Sequence, residues 1–139
     1  MRQKFSVNFD GYWPEAGKDS IPDKSGVYCI YSAGLENGKL QSLKKLIYIG
    51  ESGDGEGRLK NHEKWPDWKS YLNEEQKIYI SFAQVPSADR ERIEAALIYK
   101  HKPPENIEHV DNFNFDDTDI ELTGTVTLLT SSFSVKRTT

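Results

Sequence analysis

The chain has 139 residues, of which 36% are hydrophobic and 29% charged, and its formal net charge is −4. This composition is typical of a globular protein, and the length predicts one domain over residues 1–139. The single cysteine, Cys29, excludes an internal disulfide, and no apolar run approaches the roughly 20 residues that a membrane span needs. Because the N-terminus shows no signal peptide, we expect a cytoplasmic protein without a membrane partner.

Negative charge is concentrated toward the C-terminus. Residues 1–102 hold 16 Lys/Arg against 15 Asp/Glu, whereas residues 103–139 hold two against seven. We therefore interpret residues 108–139 as an acidic extension. It is a solvated face, or else a region that repels nucleic acid from the wrong side or meets a basic partner. The balanced charge of the first part leaves nucleic-acid binding open there.

In the first half of the chain, hydrophobic alternation predicts three strands. The segment between the second and third strands contains Asn37-Gly38, a turn dipeptide, and is predicted to be a long hairpin connection or an extended hairpin tip. Gly, Pro and charged residues predict a loop after the first strand. In chain order the predictions are a strand at 4–10, a loop at 11–23, a strand at 25–32, the connection at 33–45 and a strand at 46–50.

The second half alternates helices with strands. A helix is predicted from about Arg58 until Pro66, with Leu59, His62 and Trp65 on one face. The other predictions are a short helix at 67–72, a strand at 77–84, a helix at 88–101, a hairpin of 120–122 with 126–129, and a frayed tail at 131–139. The class is α/β (α+β): a small, mostly antiparallel three-stranded central sheet flanked by helices, with extra N- and C-terminal strands.

Two phenols, a guanidinium, an imidazole and a carboxylate occur in an order that suits phosphodiester cleavage. They belong to Gly26-Val27-Tyr28, Tyr48-Ile49-Gly50, Arg58, His62 and Glu94. Such cleavage needs an attacking water, neutralised charge at phosphorus and a stabilised leaving oxygen. Glu94 lies in an apolar frame and is the candidate ligand of one hard divalent cation. The planar fork of Arg58 suits phosphate oxygens.

Together these residues resemble the GIY-YIG nuclease superfamily. The first signature has Val in place of Ile, and the second is intact. The resemblance covers about residues 24–107 and leaves both ends of the chain outside it. The matching positions, in order, are Gly26-Val27-Tyr28, Tyr48-Ile49-Gly50, Arg58, His62, Glu94 and Asn106.

The resemblance implies a divalent-metal-dependent endonuclease that hydrolyses DNA by a one-metal mechanism. Glu94 would hold Mg²⁺ (or Mn²⁺). One of Tyr28 and Tyr48 would assist deprotonation of the attacking water and the other would position the water or the phosphate, in an order that the sequence leaves open. His62 would transfer a proton or contact phosphate. Asn106, with the signature glycines Gly26 and Gly50, would support the geometry.

Each of these positions also has an ordinary structural interpretation. Tyrosines in strands are commonly core residues, a histidine on a helix face commonly packs, and a helical glutamate is commonly solvated. Trp65 and Trp68 either stack on splayed bases or cap the core. His101 and His109 are interpreted as surface or packing residues. It is the ordered set, rather than any single residue, that favours a nuclease site.

Lysines around the signatures predict contacts to phosphates that flank the scissile one. The candidates are Lys44, Lys45, Lys60 and Lys64. Because the chain has no room for a separate DNA-binding domain, specificity is expected from a partner protein, a homodimer or substrate shape. The alternatives are a non-cleaving module that retains the fold to bind nucleic acid or protein, and an RNA-directed nuclease.

Overall fold

The computed structural model contains one mixed six-stranded sheet and three α-helices, described over residues 1–60 and 62–139 apart from the side chains of Glu56 and Lys60. The strands are β1 (Gln3–Pro14), β2 (Gly26–Glu36), β3 (Lys39–Ser52), β4 (Gln76–Gln84), β5 (Thr118–Gly124) and β6 (Ser132–Val135). The helices are α1 (Gly55–Lys60), α2 (Trp65–Lys69) and α3 (Arg90–His101), and a 3₁₀ helix spans Glu15–Ser20. None of the helices in these ranges is long and apolar enough to cross a membrane.

The strand order is β3-β2-β4-β1-β5-β6. The predicted α+β class is confirmed, and β3, β2 and β4 form the expected antiparallel centre. The sheet is larger than the three strands predicted, because β1 adds antiparallel to β4 and then pairs in parallel with β5. The terminal strands therefore continue the central sheet.

Of the two predictions for residues 33–45, the extended hairpin tip is the one observed, since β2 and β3 both continue into this segment. The turn lies at Asn37-Gly38, where both residues have positive φ values of 54° and 75°. Positive φ at both central residues matches the right-handed twist of hairpin strands and explains the Asn-Gly pair. The predicted loop at 11–23 is wrong in its first part, since β1 continues to Pro14 and a 3₁₀ helix follows.

Each face of the sheet has its own core. On one face α3 contributes Ile93 and Leu97, which belong to a buried cluster with Val27 and Ile49. On the other face Leu59 and Trp68 cover a cluster that contains Tyr28, Ile30 and Phe82. Neighbouring residues of β2 thus point to opposite cores, as strand alternation requires.

The helix predicted from Arg58 to Pro66 is wrong in its bounds. Asp54 precedes α1, and its Oδ1 accepts a hydrogen bond of 3.0 Å from the Gly57 amide, which caps the helix at its N-terminus. The helix ends at Lys60, so His62 lies beyond it rather than on one helix face with Leu59 and Trp65. Pro66 stands in the first turn of α2, where its missing N–H costs nothing.

The tail at 131–139, predicted to fray, instead contains β6. It pairs antiparallel with β5 and buries Phe133 and Val135. The partner of β5 is thus residues 132–135 and not 126–129. The Thr138 hydroxyl also accepts a hydrogen bond of 2.8 Å from the Phe113 amide, which holds the end of the chain against the core.

Candidate active site

The two signature tyrosines lie on adjacent antiparallel strands. Tyr28 on β2 stands opposite Gly50 on β3, and its ring occupies the space that a side chain at position 50 would need. A side chain on Gly26 would likewise collide with Phe82 and the backbone of β4. The glycines thus allow close packing around Tyr28. The ring centroids of Tyr28 and Tyr48 lie 6.3 Å apart.

His62 packs against three aromatic rings. Its ring centroid lies 6.2 Å from Tyr28, 5.9 Å from Tyr48 and 4.6 Å from Trp68. Its Nδ1 accepts a hydrogen bond of 3.1 Å from the Lys64 amide, so the neutral ring carries its proton on Nε2. Burial, reinforced by the charge of Arg58, lowers the pKa of His62 to about 4. His62 is therefore neutral at physiological pH.

The Nε2 atom of His62 is buried and has no hydrogen-bond partner among the described residues. The same holds for Nε1 of Trp68, whose side chain is buried in the core. Trp68 therefore packs in the core and does not present a face to splayed bases in this structure. The His62 side chain is buried among these rings, and its role in proton transfer or phosphate contact stays a prediction.

Glu94 is a largely buried acidic residue. Its side chain on α3 is 15% exposed. Burial, with the negative charges of Glu51 and Glu108, raises the pKa of Glu94 to about 8, and Arg90 opposes this only in part. The Nε2 atom of His109 lies 4.0 Å from Glu94 Oε1. An up-shifted carboxyl at a cavity wall is a frequent property of functional sites.

The pKa values of both phenols are raised, whereas a general base needs a lowered pKa. Burial raises the pKa of Tyr28, with Tyr48 adding to the effect and the positive charge of Arg58 opposing it. Burial also raises the pKa of Tyr48, and the charge of Glu94 adds to this while Arg58 again opposes it. The positive charge of Arg58 opposes the rise in both pKa values, but the protein groups together keep both phenols protonated.

Arg58 forms a two-point ion pair with Glu63. Its two terminal nitrogens donate hydrogen bonds of 2.9 and 3.2 Å to the carboxylate oxygens of Glu63. Those bonds lower the pKa of Glu63 to about 2. The side chains of Arg58 and Glu63 are 40% and 69% exposed, and exposed pairs are worth only about 0–1 kcal/mol. A phosphate can therefore replace Glu63 at little cost.

Asn106 completes the edge of the sheet. Its side-chain amide accepts a hydrogen bond of 2.9 Å from the Ile49 amide and donates one of 2.8 Å to the Ile49 carbonyl. The adjacent Glu105 amide donates a hydrogen bond of 3.1 Å to the carbonyl of Ile47. The segment after α3 thereby covers the edge of β3 beside Tyr48. The supporting role that the sequence predicts for Asn106 would act through these hydrogen bonds to β3.

Tyr48, Lys64, Glu94 and Asn106 line one cavity of about 330 Å³. Its remaining wall is Ile98 of α3 and the segment Glu105–His109. Lys64 extends over Tyr48, with Nζ 5.8 Å from the ring centroid. Tyr28 and His62 lie behind this wall, and Arg58 lies close enough to influence the pKa of both tyrosines.

The structure adds three acidic or imidazole groups that the sequence reading did not include. Glu105, Glu108 and His109 line the cavity, and His109, interpreted from sequence as a surface or packing residue, faces Glu94. The sequence signal for these three residues was their closeness to Asn106. Because Asn106 is bonded to β3, residues next to it in the chain also lie at that edge of the sheet.

The residues around Glu94 fit a hard divalent cation. Carboxylates of Glu94, Glu105 and Glu108 line the cavity. Burial is the main cause of the raised pKa of Glu94, and the negative charges of Glu51 and Glu108 add to it. Among the described residues no group of three His, Cys, Asp or Glu has the arrangement to hold a metal by itself. This combination suits an ion such as Mg²⁺, which keeps most of its waters and uses one or two carboxylates.

The predicted lysines divide into two groups. Lys64 borders the cavity, whereas Lys44 and Lys45 are exposed on the edge strand β3. Nζ of Lys45 lies 6.0 Å from the ring centroid of Tyr71, whose hydroxyl donates to Glu105 at 3.1 Å. The side chain of Lys60 lies outside the described residues.

The chain is 38% identical over 92 residues to UvrABC system protein C of Fervidobacterium nodosum. The match covers 63% of this chain and 14% of that protein, so this chain spans only a small part of its relative's length. No protein-family profile matches the chain. No solved structure matches it either.

Proposed function

We propose that the chain is a member of the GIY-YIG nuclease superfamily and a divalent-metal-dependent endonuclease that hydrolyses DNA. The observation that carries this proposal is the convergence of Tyr48, Glu94 and Asn106 on one cavity, with Tyr28 and Arg58 directly behind it. Similarity to a UvrABC system protein C is consistent with that family, and the resemblance to the family makes DNA the expected substrate.

Tyr48 is the phenol that we assign to the attacking water. It borders the cavity, whereas Tyr28 is buried behind it. Tyr28 and His62 hold the Tyr48 ring in place, and the Lys64 ammonium above the ring favours its anionic form. Burial and the charge of Glu94 both raise the pKa of Tyr48, so a cation that balances Glu94 would favour the phenolate form that accepts the proton.

Glu94 is assigned to hold a single Mg²⁺ or Mn²⁺, with Glu108 near enough to contribute charge. When bound, the cation would polarise the scissile phosphate and stabilise the leaving oxygen. Arg58 exchanges Glu63 for nonbridging phosphate oxygens, since its fork fits either anion. Asn106 maintains the position of the wall by its two hydrogen bonds to β3.

The test is a cleavage assay on supercoiled plasmid and on branched, duplex and single-stranded oligonucleotides, with an RNA strand in parallel. Mg²⁺, Mn²⁺ and a chelator form separate arms. We expect metal-dependent cutting that falls by at least about a hundredfold in Glu94→Gln and in Arg58→Ala. Glu91→Gln, an exposed glutamate on the same helix, serves as the matched control and should retain activity.

Three outcomes would contradict the proposal in whole or in part. Cutting that persists in chelator or in Glu94→Gln would remove the cation from the mechanism. An absence of cutting on every substrate by correctly folded protein would favour the binding module. Preferential cutting of the RNA strand would assign the same chemistry to RNA.

A further inference from the structure

A second, larger cavity lies on the Trp68 side of the sheet, between the 3₁₀ helix, the β2–β3 hairpin, α2 and β4. Its volume is about 650 Å³. Its lining includes three lysines and an apolar floor: Lys18, Lys69, Lys77, Leu35, Leu72 and Ile78. We name this feature the lysine groove. Part of it is formed by the segment at Pro14–Lys18, outside the region that resembles the nuclease family.

The charge of the lysine groove differs from that of the rest of the protein. Glu15, its acidic member, pairs with Lys69 at 2.9 Å, which leaves the charges of Lys18 and Lys77 uncompensated by acidic lining residues. By contrast, residues 103–139 hold seven acidic and two basic residues. A polyanion is therefore attracted to the groove and repelled from the C-terminal part of the chain.

The groove is connected to the candidate active site by α2. Lys64 borders the active-site cavity and Lys69 borders the groove. The two lysines are five positions apart, which corresponds to a rise of about 7 to 8 Å along a helix. Trp65 lies between, with Nζ of Lys18 and of Lys69 at 5.7 and 6.0 Å from its ring. Lysines with an interposed aromatic ring are the usual pattern of a single-strand path.

We propose that the lysine groove binds single-stranded DNA on one side of the cleavage point. Lys18 and Lys77 contact phosphates, and the apolar floor accepts an unstacked base. Because bases in a duplex remain stacked and paired, this floor is available only to a single strand, which gives the site a preference for flaps, gaps or ends. This inference rests on the proposed nuclease function, because only that function implies that the bound strand continues past α2 to the active-site cavity.

The test measures DNA binding separately from cleavage. Fluorescence anisotropy follows the full chain binding to a labelled oligo-dT of about 20 nucleotides and to a duplex of equal length, in chelator so that no cutting occurs. The variant is Lys18→Gln/Lys77→Gln. The matched control is Lys100→Gln/Lys136→Gln, two exposed lysines that border a different depression.

Two lost phosphate contacts should lower the slope of log Kd against log salt by about 1.4 for the single strand. The Kd for oligo-dT should rise roughly three- to tenfold at about 100 mM salt, while the duplex changes less than about twofold. Lys18→Arg/Lys77→Arg should restore both values, which separates lost charge from lost folding. The control pair should bind as wild type.

An unchanged slope, or an equal loss in the control pair, would overturn the proposal. Equal losses on single strand and duplex would overturn the single-strand preference. The two proposals fail separately: charge-dependent binding at the groove without any cleavage would contradict the nuclease, whereas cleavage without groove-dependent binding would contradict the groove.

Discussion

Replacing Glu94 with glutamine should stabilise the protein at alkaline pH while it abolishes cleavage. Burial, with Glu51 and Glu108, raises the pKa of Glu94 to about 8 from an ordinary value of 4.5. Below pH 4.5 the carboxyl is neutral in both the folded and the unfolded chain. Between pH 4.5 and 8 the unfolded chain releases the proton and the folded chain retains it, so stability falls as pH rises.

The size of this effect follows from the pKa difference. One pKa unit corresponds to about 1.36 kcal/mol, so ionised Glu94 costs at most about 5 kcal/mol above pH 8. Local relaxation and entry of water reduce this, and we expect Glu94→Gln to gain about 2–3 kcal/mol at pH 9 and almost nothing at pH 4. Since Glu94 is only 15% exposed, solvent screening removes little of the difference.

Urea unfolding in chelator, at pH 4 and pH 9, measures this difference directly. Glu91→Gln on the same helix is the control and should change stability by less than about 0.5 kcal/mol at both pH values. Adding Mg²⁺ at pH 9 should stabilise the wild type but not Glu94→Gln. Equal stability of wild type and Glu94→Gln at pH 9 would refute the assignment of Glu94 as a buried cation ligand whose ionised form destabilises the fold.

Three further predictions concern the surrounding residues. Burial lowers the pKa of His62 to about 4, so the stability that neutral His62 contributes to the fold is present above pH 6.5 and is lost as pH falls through 4. His62→Gln should therefore lose up to about 3 kcal/mol less stability than wild type between pH 7 and pH 4, as measured by urea unfolding. Glu63→Gln frees Arg58 and should lower KM for DNA several-fold with kcat unchanged, whereas a raised KM would contradict the exchange. Asn106→Ala removes both hydrogen bonds to Ile49 and should cost about 1–3 kcal/mol, and an unchanged urea midpoint would contradict this.

The central hairpin could be predicted because its determinants are local. Alternating apolar residues and the Asn37-Gly38 turn specify two antiparallel strands, and their register places Tyr28 opposite Gly50. The grouping of Tyr28 with Tyr48 follows from that register. The additional strands could not be predicted in the same way, because the parallel pairing of β1 with β5 joins residues more than 100 positions apart.

The position of His62 was predicted wrongly because α1 begins earlier than composition indicates. Gly55 and Gly57 are poor helix formers, yet the Asp54 cap and the close packing of Gly55 against Phe82 favour the helix there. Residues 132–135 form a strand too short to stand out from a polar tail, and their burial depends on β5. Local propensity does not report such tertiary contacts.

The wall of the active-site cavity likewise depends on tertiary contacts that local propensity does not report. The sequence order indicated Glu94 and Asn106, whose residue types are suited to their tasks. That Glu108 and His109 approach Glu94 depends on how the segment after α3 returns to β3, which the two hydrogen bonds of Asn106 determine. The pKa of Glu94 then follows from burial and from charges on three different elements.

The most direct test counts cations during cleavage. Mn²⁺ is titrated into the full chain with DNA, and bound Mn²⁺, followed by electron paramagnetic resonance, is compared with the cleavage rate at each step. The account predicts that the rate saturates with one Mn²⁺ bound per chain, and that Glu94→Gln loses both the bound ion and the cleavage. A rate that needs two ions, or cleavage that survives in Glu94→Gln, would contradict it.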